Sequence, residues 1–544
     1  MAKNDPFRVL SKKTICKSVA SCIYLLIVLL CLLSYYRGLK GEFVFDDTAL
    51  IANDTFYNTE SNPLKCWDRG FWADGRGGLY RPAVIFSNWL NIKIFGLSSP
   101  MFRIVNLLLH MTVAFLVYLL VRKINLGRSC AIIASILYAV HPIHSEAVIP
   151  AFGRAELLCA IFFILAFIFH SRKENPRNSA ILAGVFFLLA LWSKEHAIAF
   201  IPLCLLYDLF LGKIKNGKFI LKYSIYAICL GLLIFSKYSA MHTVLPGKDK
   251  NEALIDNRLA LCATPERVVS AIRIQGIALG KFVYPANLSH DYSYAQILPS
   301  ESVYDIKALL TLIIFSGLPV LLIYFYPRRK TAIVFLASAY AICVIPAGNF
   351  IIPAGTIFAE RLSYIPSIWL CIFFSLAFIR LSKSIPFFLT ILALVSIIGL
   401  FSYRSLLRCS DWQNRMSLAV SGLSSSPSSV KTWINLAVQF EETGQYMAAI
   451  DACNIALGIY PDDPSVYLKR GTYYTRVMMN DAAEEDFRKA LSMNPEYLQA
   501  GINLAVVLAN TGKTDSAKQI LRDILRQYPS QTAASEMLDS LEKH

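Results

Sequence analysis

Two adjacent acids, Asp46 and Asp47, close the run Gly41-Glu42-Phe43-Val44-Phe45-Asp46-Asp47 just after a long apolar stretch, Ser18 to Tyr36. Paired carboxylates at a membrane edge point to general-base chemistry on a reactant held near the lipid headgroups. The plainer reading is two solvated loop acids. More ionisable residues sit at the ends of later apolar stretches: His141, His144 and Glu146 in His141-Pro142-Ile143-His144-Ser145-Glu146-Ala147-Val148, and Arg154 and Glu156 in Gly153-Arg154-Ala155-Glu156. Lys194, Glu195 and His196 fill a tight turn, and Glu360, Arg361 and Tyr364 open another stretch. Charges this close to hydrocarbon mark a functional cavity or a paired structural site, such as Arg154 with a carboxylate.

A metal is the competing use of two histidines and several carboxylates. The spacing His141-x-x-His144, interrupted by Pro142, does not match the zinc-protease helix, so no metal ligand is assigned and no cofactor is required, with a divalent ion as the alternative. The 13 cysteines show no paired spacing; Cys66 with Cys262 is the one disulfide weighed. No glycine-rich nucleotide loop is present, which argues against nucleotide or nucleotide-sugar donors. Asn53-Asp54-Thr55 and Asn287-Leu288-Ser289 are glycosylation sequons.

The elements that position these residues are membrane helices. With 56% hydrophobic and 12% aromatic residues over 544 positions, the chain is too apolar for a soluble fold. Ser18 to Tyr36 lacks a cleavage pattern and is read as a retained span. Ten more apolar runs follow: Ile104 to Val121, Cys130 to Ile149, Leu157 to Phe169, Ala180 to Trp192, Ala197 to Leu211, Tyr223 to Phe235, Ile306 to Tyr326, Ala332 to Ala347, Tyr364 to Ile379 and Ile385 to Phe401. The short ones need flanking residues or a thinned bilayer to cross. Val268 to Tyr284 carries Arg273, Gln275 and Lys281 and reads as an interfacial amphipathic helix.

Charge placement gives the topology. The amino-terminal segment and every second loop, around Arg122-Lys123, Arg172-Lys173, Lys213 to Lys222, Arg328-Arg329-Lys330 and Arg380 to Lys383, hold 20 basic residues against two acids, Asp5 and Glu174. The intervening loops are balanced: 37–103 has eight basic and seven acidic residues, and 237–305 has seven of each. The net charge of +16 therefore reports topology rather than nucleic-acid binding. The amino terminus is placed in the cytoplasm, and the two acids and the carboxyl-terminal region on the outer or lumenal face.

Beyond Phe401 the composition turns soluble, and proline recurs at Pro427, Pro461, Pro495 and Pro529, every 34 residues, the tetratricopeptide period. Ala437, Gly471 and Ala505, with Ala449, Ala483 and Ala517, are the small residues that let paired helices approach; Gly501 stands where Trp433 and Tyr467 stand in the other copies. The expected architecture is all-α: a polytopic membrane bundle of about 11 spans over 1–404, a linker or helix over 405–429, and three repeats with a capping helix over 430–544. Such arrays bind peptides or partner proteins, or serve as spacers.

The motifs together resemble a known family. Phe43-Val44-Phe45-Asp46-Asp47, Tyr80-Arg81-Pro82, Asn106-Leu107-Leu108-Leu109-His110, the His141 to Val148 run, Gly153-Arg154-Ala155-Glu156-Leu157-Leu158, Ser193-Lys194-Glu195, Leu288-Ser289-His290-Asp291-Tyr292-Ser293-Tyr294 and Ala359-Glu360-Arg361-Leu362-Ser363-Tyr364 look like the transmembrane and tetratricopeptide repeat (TMTC) protein O-mannosyltransferases and their bacterial relatives. Animal members often have longer arrays; three repeats point to a bacterial inner membrane, with the endoplasmic reticulum as the eukaryotic counterpart. The resemblance implies the C-type glycosyltransferase (GT-C) fold and a sugar donor on polyprenyl phosphate. It further implies inverting transfer of a hexose, mannose, to an acceptor hydroxyl. In that scheme Asp46 or Asp47 takes the hydroxyl proton, with Asp47 preferred, and Arg361 meets the leaving phosphate, with Lys194 and Arg154 as alternatives. His141, His144, Glu146, Glu156, Glu195 and Tyr364 orient acceptor, donor or cations. The expected partners are the lipid-linked sugar, a protein or peptide acceptor met by the repeats, and the bilayer, without nucleic acid. The rival classes are a membrane-anchored tetratricopeptide scaffold without catalysis and a transporter, which would need charges deep within several spans.

Overall fold

The structure, a computed structural model, describes residues 6–73, 78–172, 174–210, 217–243 and 255–542, with 6–20, 217 and 218 by backbone alone. Asp5, Lys173, Lys213 and Lys215 of the basic loops lie outside the described residues. Every regular element described is helical. The chain divides into two compact units, one of 1–290 with 299–418, the other of 291–298 with 419–544.

The first unit is a helical bundle. Its long helices are α1 (Pro6–Tyr35), α2 (Pro82–Phe95), α3 (Ser99–Lys123), α4 (Arg128–Val140), α5 (Arg154–His170), α6 (Pro176–Ser193), α7 (Phe200–Phe210), α8 (Gly217–Met241), α9 (Thr264–Val283), α10 (Ile306–Phe325), α11 (Lys330–Val344), α12 (Pro366–Leu381) and α13 (Phe387–Asp411). All eleven apolar runs are helices, and eight are long and apolar enough to cross a membrane; α4 with the helix Ser145–Val148 forms a ninth, bent by 52°. The bend follows from Pro142, which cannot continue the α4 hydrogen-bond ladder. The other two, α7 and α11, have 11 and 15 residues, shorter than the ~20 residues a ~30 Å core asks of a helix. The amphipathic run from Val268 is α9, which is not among the helices apolar enough to span.

α5 is the centre of the bundle, with 72% of its apolar window buried, while none of the apolar window of α13 is buried. Phe387, Phe388, Leu392 and Val395 of α13 are exposed, the composition of a lipid-facing helix. α13 does not stop at the expected boundary at 404. It runs on to Asp411 because Arg408, Cys409 and the following Trp412 are buried in the bundle core.

Buried polar pairs fix the depth of α7. Lys194, just ahead of it, pairs with Glu156 near the start of α5, and Asp208 near its end lies 3.2 Å from His170 at the end of α5. Glu156 to His170 is fourteen residues of α5, about 21 Å of helix, and the chain from Lys194 through the 3-10 turn Glu195–Ala199 and α7 to Asp208 meets both ends of that interval. The 3-10 turn and α7 together therefore travel the depth of α5 although α7 alone has 11 residues. The pairs at its ends are enclosed by protein and need no contact with the headgroup layer.

The second unit stacks α14 (Val430–Glu442), α15 (Tyr446–Ile459), α16 (Pro464–Arg476), α17 (Asn480–Met493), α18 (Leu498–Asn510) and α19 (Thr514–Gln527) as three hairpins, closed by α20 (Thr532–Glu542). Ser429 and Asp463 cap α14 and α16 through their side chains. A Cβ at Gly471 would lie 2.8 Å from the Phe487 ring, so this close approach requires glycine. Gly501 leaves room for Ile524, 3.0 Å from where its Cβ would be.

Residues 291–298 complete this unit. Ala295 N–H donates to Ser428 O at 2.7 Å, Val430 N–H donates to Tyr294 O at 2.7 Å, and the Tyr294 and Tyr460 rings are 5.2 Å apart. The boundary therefore differs from one drawn on composition, because an eight-residue piece of the 237–305 loop packs with the repeats.

Candidate active site

The two acids occupy different environments. Asp47 is fully buried; its Oδ1 accepts Phe152 N–H at 2.7 Å and its Oδ2 accepts Ala151 N–H at 3.0 Å. Burial pushes its carboxyl up to about 7, against the two amides that favour the charged form. Asp46 is partly exposed, and its charge helps to hold the Arg361 guanidinium protonated. Phe45, immediately before them, takes a left-handed backbone conformation, φ +54°.

At one end of the bundle the loops bring three cations against three glutamates, with Asp46 in electrostatic reach of one of them, Arg361. Arg361 pairs with the buried Glu146, whose Oε2 also accepts the Arg361 backbone N–H at 2.9 Å. Lys194 pairs with Glu156. Arg81 grips Glu195 with both arms of its fork, at 3.1 and 2.6 Å. Lys194 lies within electrostatic reach of Arg81, Glu195 and Arg361, and Arg361 within reach of Glu156, so the three pairs form one cluster. Burial holds the Lys194 ammonium below its ordinary range, whereas the Arg81 guanidinium holds the Glu195 carboxyl far below the ordinary carboxylate range against the effect of burial. Burial and the Lys194 charge push His196 down to about 3, so it is neutral.

Accessibility ranks the cations. The Arg361 side chain is 19% exposed, Arg81 11% and Lys194 4%. Arg154 is fully buried, and its guanidinium donates to Asn106 Oδ1 (2.9 Å), Ser87 O (3.3 Å), Asn88 Oδ1 (3.4 Å), Asn91 Oδ1 (3.0 Å) and Phe102 O (3.2 Å). These neutral oxygens take the place of the carboxylate partner weighed from sequence, and they knit α2, α3 and α5 together.

His141, His144 and Tyr364 lie outside this cluster. His141 Nε2 is 2.9 Å from Phe282 O and its Nδ1 accepts Ile143 N–H at 3.2 Å; His144 contacts Tyr138 O at 2.9 Å and Ser367 Oγ at 2.8 Å. The Tyr364 hydroxyl is 2.7 Å from His110 Nδ1. All are buried, and both ring nitrogens of His110, His141 and His144 already have partners, so they act by holding the loops that carry Glu146 and Arg361. Among the described residues no three His, Cys, Asp or Glu side chains converge as a metal site, and Cys66 and Cys262 are free thiols.

Five residues that the sequence left unassigned help to build the site. Arg81 was legible only as part of the Tyr80-Arg81-Pro82 motif. Arg408 lies 2.9 Å from Asp411 and 3.9 Å from Glu360, and Phe45, His290 and Trp412 pack around Phe152 and Arg408. Nothing in the local sequence marks Trp412.

The comparisons with known proteins bear on this cluster. The family model described as dolichyl-phosphate-mannose-protein mannosyltransferase matches residues 81–239, which hold Arg81, Glu146, Glu156, Lys194 and Glu195, and a tetratricopeptide-repeat model matches 479–541. The chain is 28% identical to the human protein O-mannosyl-transferase TMTC3 over 91% of its own length and 59% of the relative's. It is 28% identical to the Caenorhabditis elegans protein O-mannosyl-transferase F38B6.6 over 77% of its length and 60% of the relative's. The resemblance to TMTC proteins is borne out along most of the chain, which spans about three-fifths of the relatives it matches. A crystal structure of the Archaeoglobus fulgidus oligosaccharyltransferase aligns over 80% of this chain and 59% of that one, with a TM-score of 0.41 and 12% identity.

Proposed function

We propose that this protein is a membrane glycosyltransferase that moves a hexose, mannose, from a polyprenyl-phosphate donor to a hydroxyl of a protein acceptor, on the outer or lumenal face and with inversion. The observation that carries this reading is the partly exposed Asp46 carboxylate within electrostatic reach of Arg361, near a cluster of buried ion pairs at the end of an apolar bundle. The names of the relatives and of the matched family supply the sugar and the lipid phosphate.

In a single displacement the acceptor oxygen attacks the anomeric carbon, the bond from that carbon to the phosphate oxygen breaks, and the polyprenyl phosphate leaves with the electron pair. Asp46 takes the hydroxyl proton. Asp47 is less suited, since both its oxygens already accept backbone amides. The leaving phosphate gathers negative charge and is met by Arg361, the most exposed cation, held by Glu146, with Lys194 deeper in the site. The repeats present the protein that bears the hydroxyl.

The test is the purified full chain in lipid with polyprenyl-phosphate mannose and candidate acceptors, following release of free polyprenyl phosphate and sugar transfer. Asp46→Asn is expected to lower turnover by about 10² to 10⁴, and Asp47→Asn by less. Full turnover by both variants, folded and inserted, would remove the carboxylate mechanism. No turnover by wild type across several lipid-linked sugars would favour the scaffold reading.

A further inference from the structure

Phe45 has an aromatic side chain on a backbone of φ +54°, a left-handed region that a bulky residue keeps only where its surroundings enforce it. Two rings enclose it. His290 meets the Phe45 ring edge-on, with centroids 5.4 Å apart at 79°, and Phe152 lies 6.0 Å away on a tilt.

Both rings are themselves anchored to charged groups of the site. Phe152 N–H binds Asp47, and its ring lies 5.1 Å from the Arg361 guanidinium. His290 is buried and lies edge-on to Trp412 at 6.4 Å, and the Arg408 guanidinium sits 5.8 Å from the same indole. The residue before it, Ser289, donates its N–H to Glu360 at 2.7 Å, and Glu360 lies next to Arg361 in the chain. The strained residue before the two acids is thus wedged between a ring on the Asp47 side and a ring on the Glu360 side.

We propose that His290 is a positioning residue: its ring holds Phe45 in the left-handed turn and so directs the Asp46 carboxylate toward Arg361. The inference rests on the glycosyltransferase reading for its kinetic consequence, but not for its structural one. Without the wedge, Phe45 relaxes to an ordinary backbone conformation and the Cα–Cβ direction of Asp46 swings with it. The contacts with Phe45 and Trp412 are ring contacts at T-shaped angles, which an aromatic ring of another type can also make.

The experiment uses the full chain in lipid nanodiscs. His290→Ala is expected to lower kcat about 10- to 100-fold, the scale of a misplacement near 1 Å, with the KM for the lipid donor within about twofold; His290→Phe, which restores a ring, is expected to stay within about threefold of wild type. A second readout is independent of turnover. With 4-fluorophenylalanine at position 45, wild type and His290→Phe give one fluorine resonance and His290→Ala gives a second. Equal impairment of His290→Phe and His290→Ala, wild-type turnover in His290→Ala, or an unchanged fluorine spectrum in His290→Ala would each overturn the proposal. If wild type turns over no lipid-linked sugar, the catalytic reading falls, and the fluorine spectra still decide whether His290 holds Phe45.

Discussion

Asp46 and Asp47 are neighbours in the chain and opposites in environment, because successive residues of a helical turn point about 100° apart: Asp47 turns inward to the amides of Ala151 and Phe152, and Asp46 stays partly exposed within electrostatic reach of Arg361. Asp47 acts as a latch between the 37–103 loop and the start of α5. Replacing it with Asn turns an amide NH₂ toward a backbone N–H, an unsatisfied pair that costs about 1–3 kcal/mol. The cost depends on pH. Burial raises the folded-state pKa to about 7, so between about pH 4 and 7 the folded protein holds a proton that the unfolded chain has released. Stability from this group is therefore highest in acid and declines as pH rises toward 7, levelling above it. Thermal melts in nanodiscs should show a wild-type advantage over Asp47→Asn that narrows from pH 5 to pH 8; an advantage that widens would contradict the raised pKa.

Among the elements, α7 carries the topology. If it crosses alongside α5, residues 68 and 301 lie on the same side of the membrane, and 174 and 328 on the other. In a Cys262→Ser background, Asp68→Cys and Glu301→Cys are expected to react with an impermeant maleimide from one side, and Glu174→Cys and Arg328→Cys only after permeabilisation. Labelling of 68 and 301 from opposite sides would show that α7 does not cross. In the repeats, the turn between paired helices takes a left-handed residue at the same register in each copy: Gly444 (φ +73°), Met478 (φ +62°) and Gly512 (φ +79°). Met478 is exposed and has little packing to lose. Met478→Gly should stabilise the repeat unit by about 1 kcal/mol, since the relief of a left-handed methionine exceeds the backbone entropy that glycine adds. Denaturant unfolding followed by repeat tryptophan fluorescence reads this out, and a lower midpoint would count against the strain.

For the molecule as a whole, the chain passes between its two units three times, after His290, after Leu298 and after Leu418. The 291–298 segment is therefore a built part of the repeat unit rather than a tail on the membrane bundle. Tyr294→Ala removes a ring packed on Tyr460 and should destabilise the repeat unit by about 1–3 kcal/mol. Hydrogen exchange is expected to rise in α14 and α15 and to stay unchanged in α3 and α5; exchange unchanged in all four would show that the segment contributes nothing to the repeats.

Patterns local to the chain were legible without coordinates. Apolar runs forced helices, since backbone polar groups within a bilayer must be satisfied inside their own segment, and the 34-residue proline period with its small residues placed the hairpins. The cluster of charges was visible as well, because ionisable residues at span ends are scarce and conspicuous. Pairings between distant residues were not. Which carboxylate is buried, that Arg154 binds neutral oxygens while Arg81 holds Glu195, that α7 with the turn before it matches α5 in depth, and that Tyr294 packs with the repeats all depend on side chains separated by tens to hundreds of positions. A sequence states the inventory of charges, but the energy of each depends on its burial and partner, and those are set only when the helices pack.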